Sequence, residues 1–175
     1  MIIVFLNRDK FFAEPGGFVE KYRSPKRNAE YNFGRFLVKT SAKYFYNIND
    51  TTVIEDKKPY FACGKPFFSI SHSENLVFAA LDDSPVGFDV EKTKPRDFEK
   101  LCKHFNLKTA RKLEFYEFWT KYEAVFKNRE NLSAATKSLL FGEFMLCVSA
   151  NEPDFTNFYE LIPKNGNFSF EKTVL

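Results

Sequence analysis

The sequence predicts an α+β fold, with helices and antiparallel strands mixed along the chain. Three observations carry this. The stretch from Ser24 to Phe45 repeats apolar residues at helical spacing. Two apolar runs, FFSIS and LVFAALDD, flank the short polar link HSEN, as paired strands do. Helix-plus-hairpin patterns recur in both halves, although no clear sequence repeat is present.

In chain order, IIVFL (residues 2–6) reads as the first strand. The wider stretch MIIVFLNRDKFF has neither the basic lead nor the small-residue cleavage site of a signal peptide. SPKRNAEYNFGRFLVKTSAKYF predicts a helix: Ser24 can cap it, Pro25 suits its first turn, and Ala29, Phe33, Phe36, Leu37 and Ala42 form an apolar stripe. KPYFACGKP, punctuated by Pro and Gly, reads as loop. FFSIS and LVFAALDD follow as strands, and PVGFDVEK as another after a turn at 82–85. RDFEKLCKHF predicts a short helix and ARKLEFYEFWTKYEAVFK a long one. SLLFGEFMLCVS, NFYELI and NFSFEKTV read as closing strands.

Composition narrows the class of function. With 175 residues and 44% hydrophobic content, the chain suits one domain or two small halves sharing a core. No apolar run of about 18 residues exists, so no membrane span is expected. Cys63, Cys102 and Cys147 are odd in number and lack CxxC spacing, which fits a reducing cytoplasm. A net charge of +3 permits an anionic partner without demanding nucleic acid, and no nucleic-acid recognition motif stands out.

Three short stretches carry the chemistry. In GFDVE, strand alternation puts Asp89 and Glu91 on one face and Phe88 and Val90 on the other. Two close carboxylates repel, and a hard cation such as Mg²⁺, which keeps waters and shares phosphate oxygens, relieves them. The alternative is an edge-strand acid pair bonded to Lys92 or Lys94. In WTKYEAVFK, Trp119, Glu123 and Lys127 stand four apart on one helical face. They are either an ordinary surface pair or a third carboxylate beside a phosphate-reaching amine. In SISHS, His72 lies at a strand end between two hydroxyls, as a structural histidine or a phosphate ligand. No G-x-S-x-G elbow is present, which argues against a serine hydrolase. No second His or Cys stands at zinc-ligand spacing.

Taken in order, SHS at 71–73, G-x-D-x-E-K at 87–92 and W-x-x-x-E-A-x-x-K at 119–127 resemble the motifs of the 4′-phosphopantetheinyl transferases, of the larger, monomeric Sfp type. The continuation GFDVEKTKP agrees with that resemblance. It implies two similar α+β halves related by a pseudo-twofold, spanning residues 1–84 and 85–175, the second carrying the metal site. It also implies transfer of phosphopantetheine from coenzyme A to a serine of an apo acyl or peptidyl carrier protein, with Mg²⁺ and release of 3′,5′-ADP. By the same resemblance Asp89, Glu91 and Glu123 hold the metal, and Glu123, Lys127 and His72 carry the catalysis. Lys26, Arg27, Lys39, Lys58, Ser71, His72 and Lys127 meet coenzyme A. Both KKP at 57–59 and GKP at 64–66 offer a Lys-Pro, and the spacing to SHS favours Lys58 over Lys65. The implied protein is a cytoplasmic monomer with no nucleic-acid or membrane partner. The alternative is a non-catalytic protein of the same fold that binds coenzyme A or a carrier. The chain departs from the family pattern in three respects. Tyr122 precedes Glu123 where the family has Lys, the segment between Glu91 and Trp119 is short, and so is the whole chain.

Overall fold

Three kinds of local signal become the elements of an α+β fold. A computed structural model describes them over residues 1–13, 17, 19–108, 111–129, 131 and 133–175. Strand β1 (Ile2–Asn7) is followed by a 3₁₀ turn and by helix α1 (Pro25–Tyr46). Ser24 accepts the Arg27 N–H at the start of α1, with Pro25 in its first turn, and Asn47 closes it in the left-handed conformation. Strands β2 (Val53–Ile54) and β3 (Tyr60–Phe61) form a small ribbon, so the stretch read as loop contains one short strand, anchored by buried Phe61. β4 (Phe67–Ser73) and β5 (Leu76–Asp82) are a tight hairpin. Its turn is only Glu74–Asn75, because His72 and Ser73 stay paired with Val77 and Leu76 instead of joining the expected HSEN link.

β6 (Gly87–Lys92), α2 (Phe98–His104) and α3 (Lys112–Lys127) come next. The residue at which the long helix was expected to begin, Ala110, lies outside the described residues. SLLFGEFMLCVS, read as one strand, spans two: β7 (Ala135–Phe141) and β8 (Phe144–Ala150) turn about Gly142, whose φ of +57° suits glycine. β9 (Phe158–Lys164) and β10 (Asn167–Lys172) end the chain.

The strands form a five-stranded sheet, ordered β10-β9-β1-β5-β4, and a three-stranded sheet, β6-β8-β7. Only β1 and β9 run parallel among these pairs. The closing hairpin β9–β10 therefore returns to the sheet begun by β1. One face of the larger sheet packs on α1 through Val4, Leu6, Leu37, Val38, Val77 and Leu81. Its other face meets the smaller sheet through Phe5, Phe78, Phe88, Val90, Leu146 and Val148. Beyond the smaller sheet lies α3, packed on β6 and β8. The layers thus run α1, larger sheet, smaller sheet, α3.

Two devices fix β6. Its first residue, Gly87, lies so close to α3 that an added Cβ would sit 2.0 Å from the Ala124 carbonyl oxygen and 2.8 Å from the Asn128 nitrogen. Only glycine permits that approach. On its other side, β6 is laced to β4 by alternate serines. Ser69 Oγ accepts the Phe88 N–H at 3.0 Å, Ser71 Oγ the Val90 N–H at 3.3 Å, and Ser73 Oγ the Lys92 N–H at 2.9 Å. Side chains here do the work that backbone carbonyls do within a sheet.

Candidate functional site

Alternation along β6 resolves as expected. Phe88 and Val90 are fully buried between the sheets, which leaves Asp89 and Glu91 on the face toward α3. Neither Lys92 nor Lys94 partners them: Lys92 reaches Glu143 at 3.2 Å, and Lys94 pairs with Glu74. Instead Asp89 Oδ1 accepts two donors, Lys127 Nζ and Ser71 Oγ, each at 2.7 Å. Lys127 also donates to the Phe88 carbonyl at 3.2 Å. Lys127 thus leaves the helix surface for the strand, and the ordinary pairing with Glu123 is not the one adopted. Glu123 stands one turn earlier on α3, half-buried.

This corner carries surplus negative charge. Asp89 is 5% exposed, and its Oδ2 is buried with no hydrogen-bond partner among the described residues. Desolvation, and then the Asp89 charge, push Glu91 above the usual carboxylate range, while Arg96, Trp119 and Lys127 work the other way. A buried carboxylate oxygen without a donor is costly, and a hard cation is one remedy. Among the described residues no group of three or more His, Cys, Asp and Glu is already drawn together as a metal cluster. The amine of Lys127 is the charge the strand acids now face. The orphaned oxygen of Asp89 and the neighbouring Glu91 are hard oxygen donors of the kind Mg²⁺ takes, and Glu123 stands on the helix packed against their strand.

Next to this corner runs a basic cleft along β4. A hollow of about 550 Å³ is lined by Arg35, Lys57, Lys58, Phe68, Ile70, Phe126, Lys127 and Arg129 among others. A second, of about 400 Å³, shares Arg35 and Ile70 with it and adds Arg27, Glu30, Tyr31 and His72. A third, of about 340 Å³, shares Arg27, Glu30 and His72 and reaches Lys26, Glu91, Lys92 and Arg96. The three adjoin through these shared residues as a trough along β4, with the KKP loop and Lys127 in its first part and Glu91 in its third. His72 lies at its middle, with Nε2 3.5 Å from Glu30, which Lys26 approaches to 3.7 Å. Burial lowers the His72 pKa most, Glu30 opposes that, and the Lys127, Arg8 and Lys26 charges add to it.

The expected residues therefore divide. Glu91, Lys127, His72, Lys26, Arg27 and Lys58 line the trough, whereas Glu123, Lys65 and Asp89, which is buried behind Lys127, are not among its lining residues. Lys39 faces a neighbouring groove with Lys43 and Thr51. Ser71, expected to face coenzyme A, is buried and turned to the opposite side of β4 from His72, onto Asp89. Sequence reading missed Arg35, Arg96 and Glu30. Arg35 falls one helical turn before Lys39, and Glu30 one turn after Lys26, so helical spacing was the available signal. Arg35 is held by a two-point bond to Glu55, at 2.6 and 2.9 Å, and Glu55 also takes Lys21 at 2.9 Å and the Tyr31 hydroxyl at 3.0 Å.

Comparison with known proteins points one way. No family model matches the chain. A 4′-phosphopantetheinyl transferase of Bacillus subtilis is 27% identical over 112 residues, 54% of this chain and 49% of that protein. The 4′-phosphopantetheinyl transferase Sfp of Bacillus subtilis strain 168 is 31% identical over 113 residues, with the same shares. The 4′-phosphopantetheinyl transferase AcpT of Salmonella typhimurium is 33% identical over 89 residues, 43% of this chain and 46% of its own. The chain spans about half the length of the curated relatives it matches. Over that matched half, its sequence kinship is with the 4′-phosphopantetheinyl transferases, Sfp among them.

Proposed function

We propose that this protein transfers the 4′-phosphopantetheine arm of coenzyme A to a serine of an apo acyl or peptidyl carrier protein, releasing 3′,5′-ADP. The observation that carries the reading is the bond from Lys127, which lines the cationic trough, to Asp89, two residues from Glu91 on the same strand. In such a reaction the carrier hydroxyl attacks the phosphorus next to the pantetheine arm, and the bond from that phosphorus to the bridging oxygen breaks. The hydroxyl proton passes to a base, and the oxygen leaves with 3′,5′-ADP. Charge builds on the pyrophosphate, so the site needs fixed positive groups there. Lys127 moves from Asp89 to a phosphate oxygen when substrate is bound. His72, Lys26, Arg27 and Lys58 hold the anionic nucleotide in the trough. Glu123, directly or through a water, takes the serine proton. Asp89, Glu91 and Glu123 would hold Mg²⁺, which when bound supplies charge neutralisation at the pyrophosphate.

The same reading arranges the chain as two related α+β halves, 1–84 and 85–175, with the trough between them. The protein then works as a cytoplasmic monomer with no nucleic-acid or membrane partner; among the described residues, no helix is long and apolar enough to cross a membrane. The trough's cations suit coenzyme A, and the basic residues Lys103, Lys108 and Arg111 suit an acidic carrier.

Intact-mass measurement of an apo acyl carrier protein incubated with this protein, coenzyme A and Mg²⁺ tests the proposal. The carrier should gain one phosphopantetheine arm, and EDTA or Asp89→Ala should abolish the gain. No gain across several carriers, with coenzyme A still bound, would replace the proposal by the non-catalytic reading.

A further inference from the structure

We infer that Ser71 is a positioning residue for Asp89: its buried hydroxyl fixes which carboxylate oxygen faces the metal position. The inference rests on the metal reading proposed above. Ser69, Ser71 and Ser73 all lace β4 to the β6 backbone, but among the described residues only Ser71 of the three has a carboxylate partner. Its oxygen accepts the Val90 N–H at 3.3 Å and donates its proton to Asp89 Oδ1 at 2.7 Å. The backbone bond fixes the hydroxyl's position, and so the direction of its proton. Lys127 lands on the same oxygen at 2.7 Å. Both donors therefore act on Oδ1, and Oδ2 keeps its lone pairs. When Lys127 leaves for substrate, the serine is the donor that remains. It is 6% exposed, so water does not replace it without rearrangement. A carboxylate held by one fixed donor loses little rotational freedom on taking a cation, and removal of such supporting donors elsewhere weakens metal binding by about 10–100-fold. β4 thereby contributes twice: His72 toward the trough, and Ser71, on the opposite face, toward the metal.

Mn²⁺ titration followed by electron paramagnetic resonance, with coenzyme A present, tests this on the full chain. Ser71→Ala should weaken Mn²⁺ binding about 10-fold or more, and Ser71→Thr, which keeps the hydroxyl, should recover most of the loss. Ser69→Ala is the comparison: it removes a rung of the same lacing without touching a carboxylate, so its melting temperature should fall while Mn²⁺ affinity stays at the wild-type value. Equal weakening in Ser71→Ala and Ser69→Ala, or wild-type affinity in Ser71→Ala, overturns the positioning role alone. Absence of Mn²⁺ binding by the wild-type protein overturns the metal reading and this inference together.

Discussion

Asp89 concentrates the electrostatics of the site in one side chain. Among the described residues its Oδ1 has two donors and its Oδ2 none, so a change at either donor exposes how much the charge costs. Lys127→Ala should destabilise the protein by about 1–3 kcal/mol, because a buried carboxylate loses its charged partner. In a chain of this size that lowers Tm by about 2–4 °C per kcal/mol, read by circular dichroism. Asp89→Asn keeps the shape and the serine bond but removes the charge. It should reduce carrier modification at least about 100-fold, while the melting temperature stays within a few degrees of wild type. A variant that modifies carrier at the wild-type rate would separate Asp89 from the reaction.

At the scale of elements, the close approach of β6 and α3 decides whether Lys127 meets Asp89 at all. Gly87→Ala places a methyl against the Ala124 carbonyl, which is backbone and cannot swing aside. Overpacking of this kind costs about 1–3 kcal/mol. The expected result is a lower melting temperature together with loss of carrier modification, since the displaced helix carries Glu123 and Lys127. A second junction ties the loop after β2 to α1 through Glu55. The Arg35 fork, helped by Lys21 and Tyr31 and opposed by desolvation, holds Glu55 at about 2, below its ordinary 4.5. A depressed carboxylate contributes stability that is complete above the ordinary value and is lost as pH falls through the folded value. Glu55→Gln should therefore lower the melting temperature at neutral pH and flatten its decline between about pH 4.5 and 2 relative to wild type. Glu55 is exposed, so the difference should be modest and shrink in high salt.

At the scale of the whole molecule, the last hairpin completes the first sheet. β9 lies between β1 and β10, and Phe158 and Leu161 are fully buried in the two main cores. Truncation after Asn157 should therefore abolish cooperative thermal unfolding, even though every proposed site residue remains in the chain. A cooperative transition in the truncated protein would show that the hairpin is dispensable. The cationic trough makes a separate prediction. Coenzyme A affinity, followed by calorimetry, should fall steeply as salt rises from about 0.05 to 0.5 M, because several phosphate charges meet fixed cations within a Debye length.

Much of this was legible in the sequence because it depends on local periodicity. Ser24 and Pro25 announce α1, and strand alternation alone separates Asp89 and Glu91 from Phe88 and Val90. Helical spacing puts Glu123 and Lys127 on one face. What sequence could not give is which surfaces meet. The destination of Lys127, the turning of Ser71 onto Asp89 instead of the cleft, the Glu55 hold on Arg35, and the return of β9 beside β1 all join residues distant in the chain. Such contacts are set by packing and by the need to satisfy buried polar groups, and neither leaves a short-range period to read. Local geometry thus determined which residues could share a face, and tertiary structure decided which faces became a site, because desolvation acts only on groups that packing has already brought together.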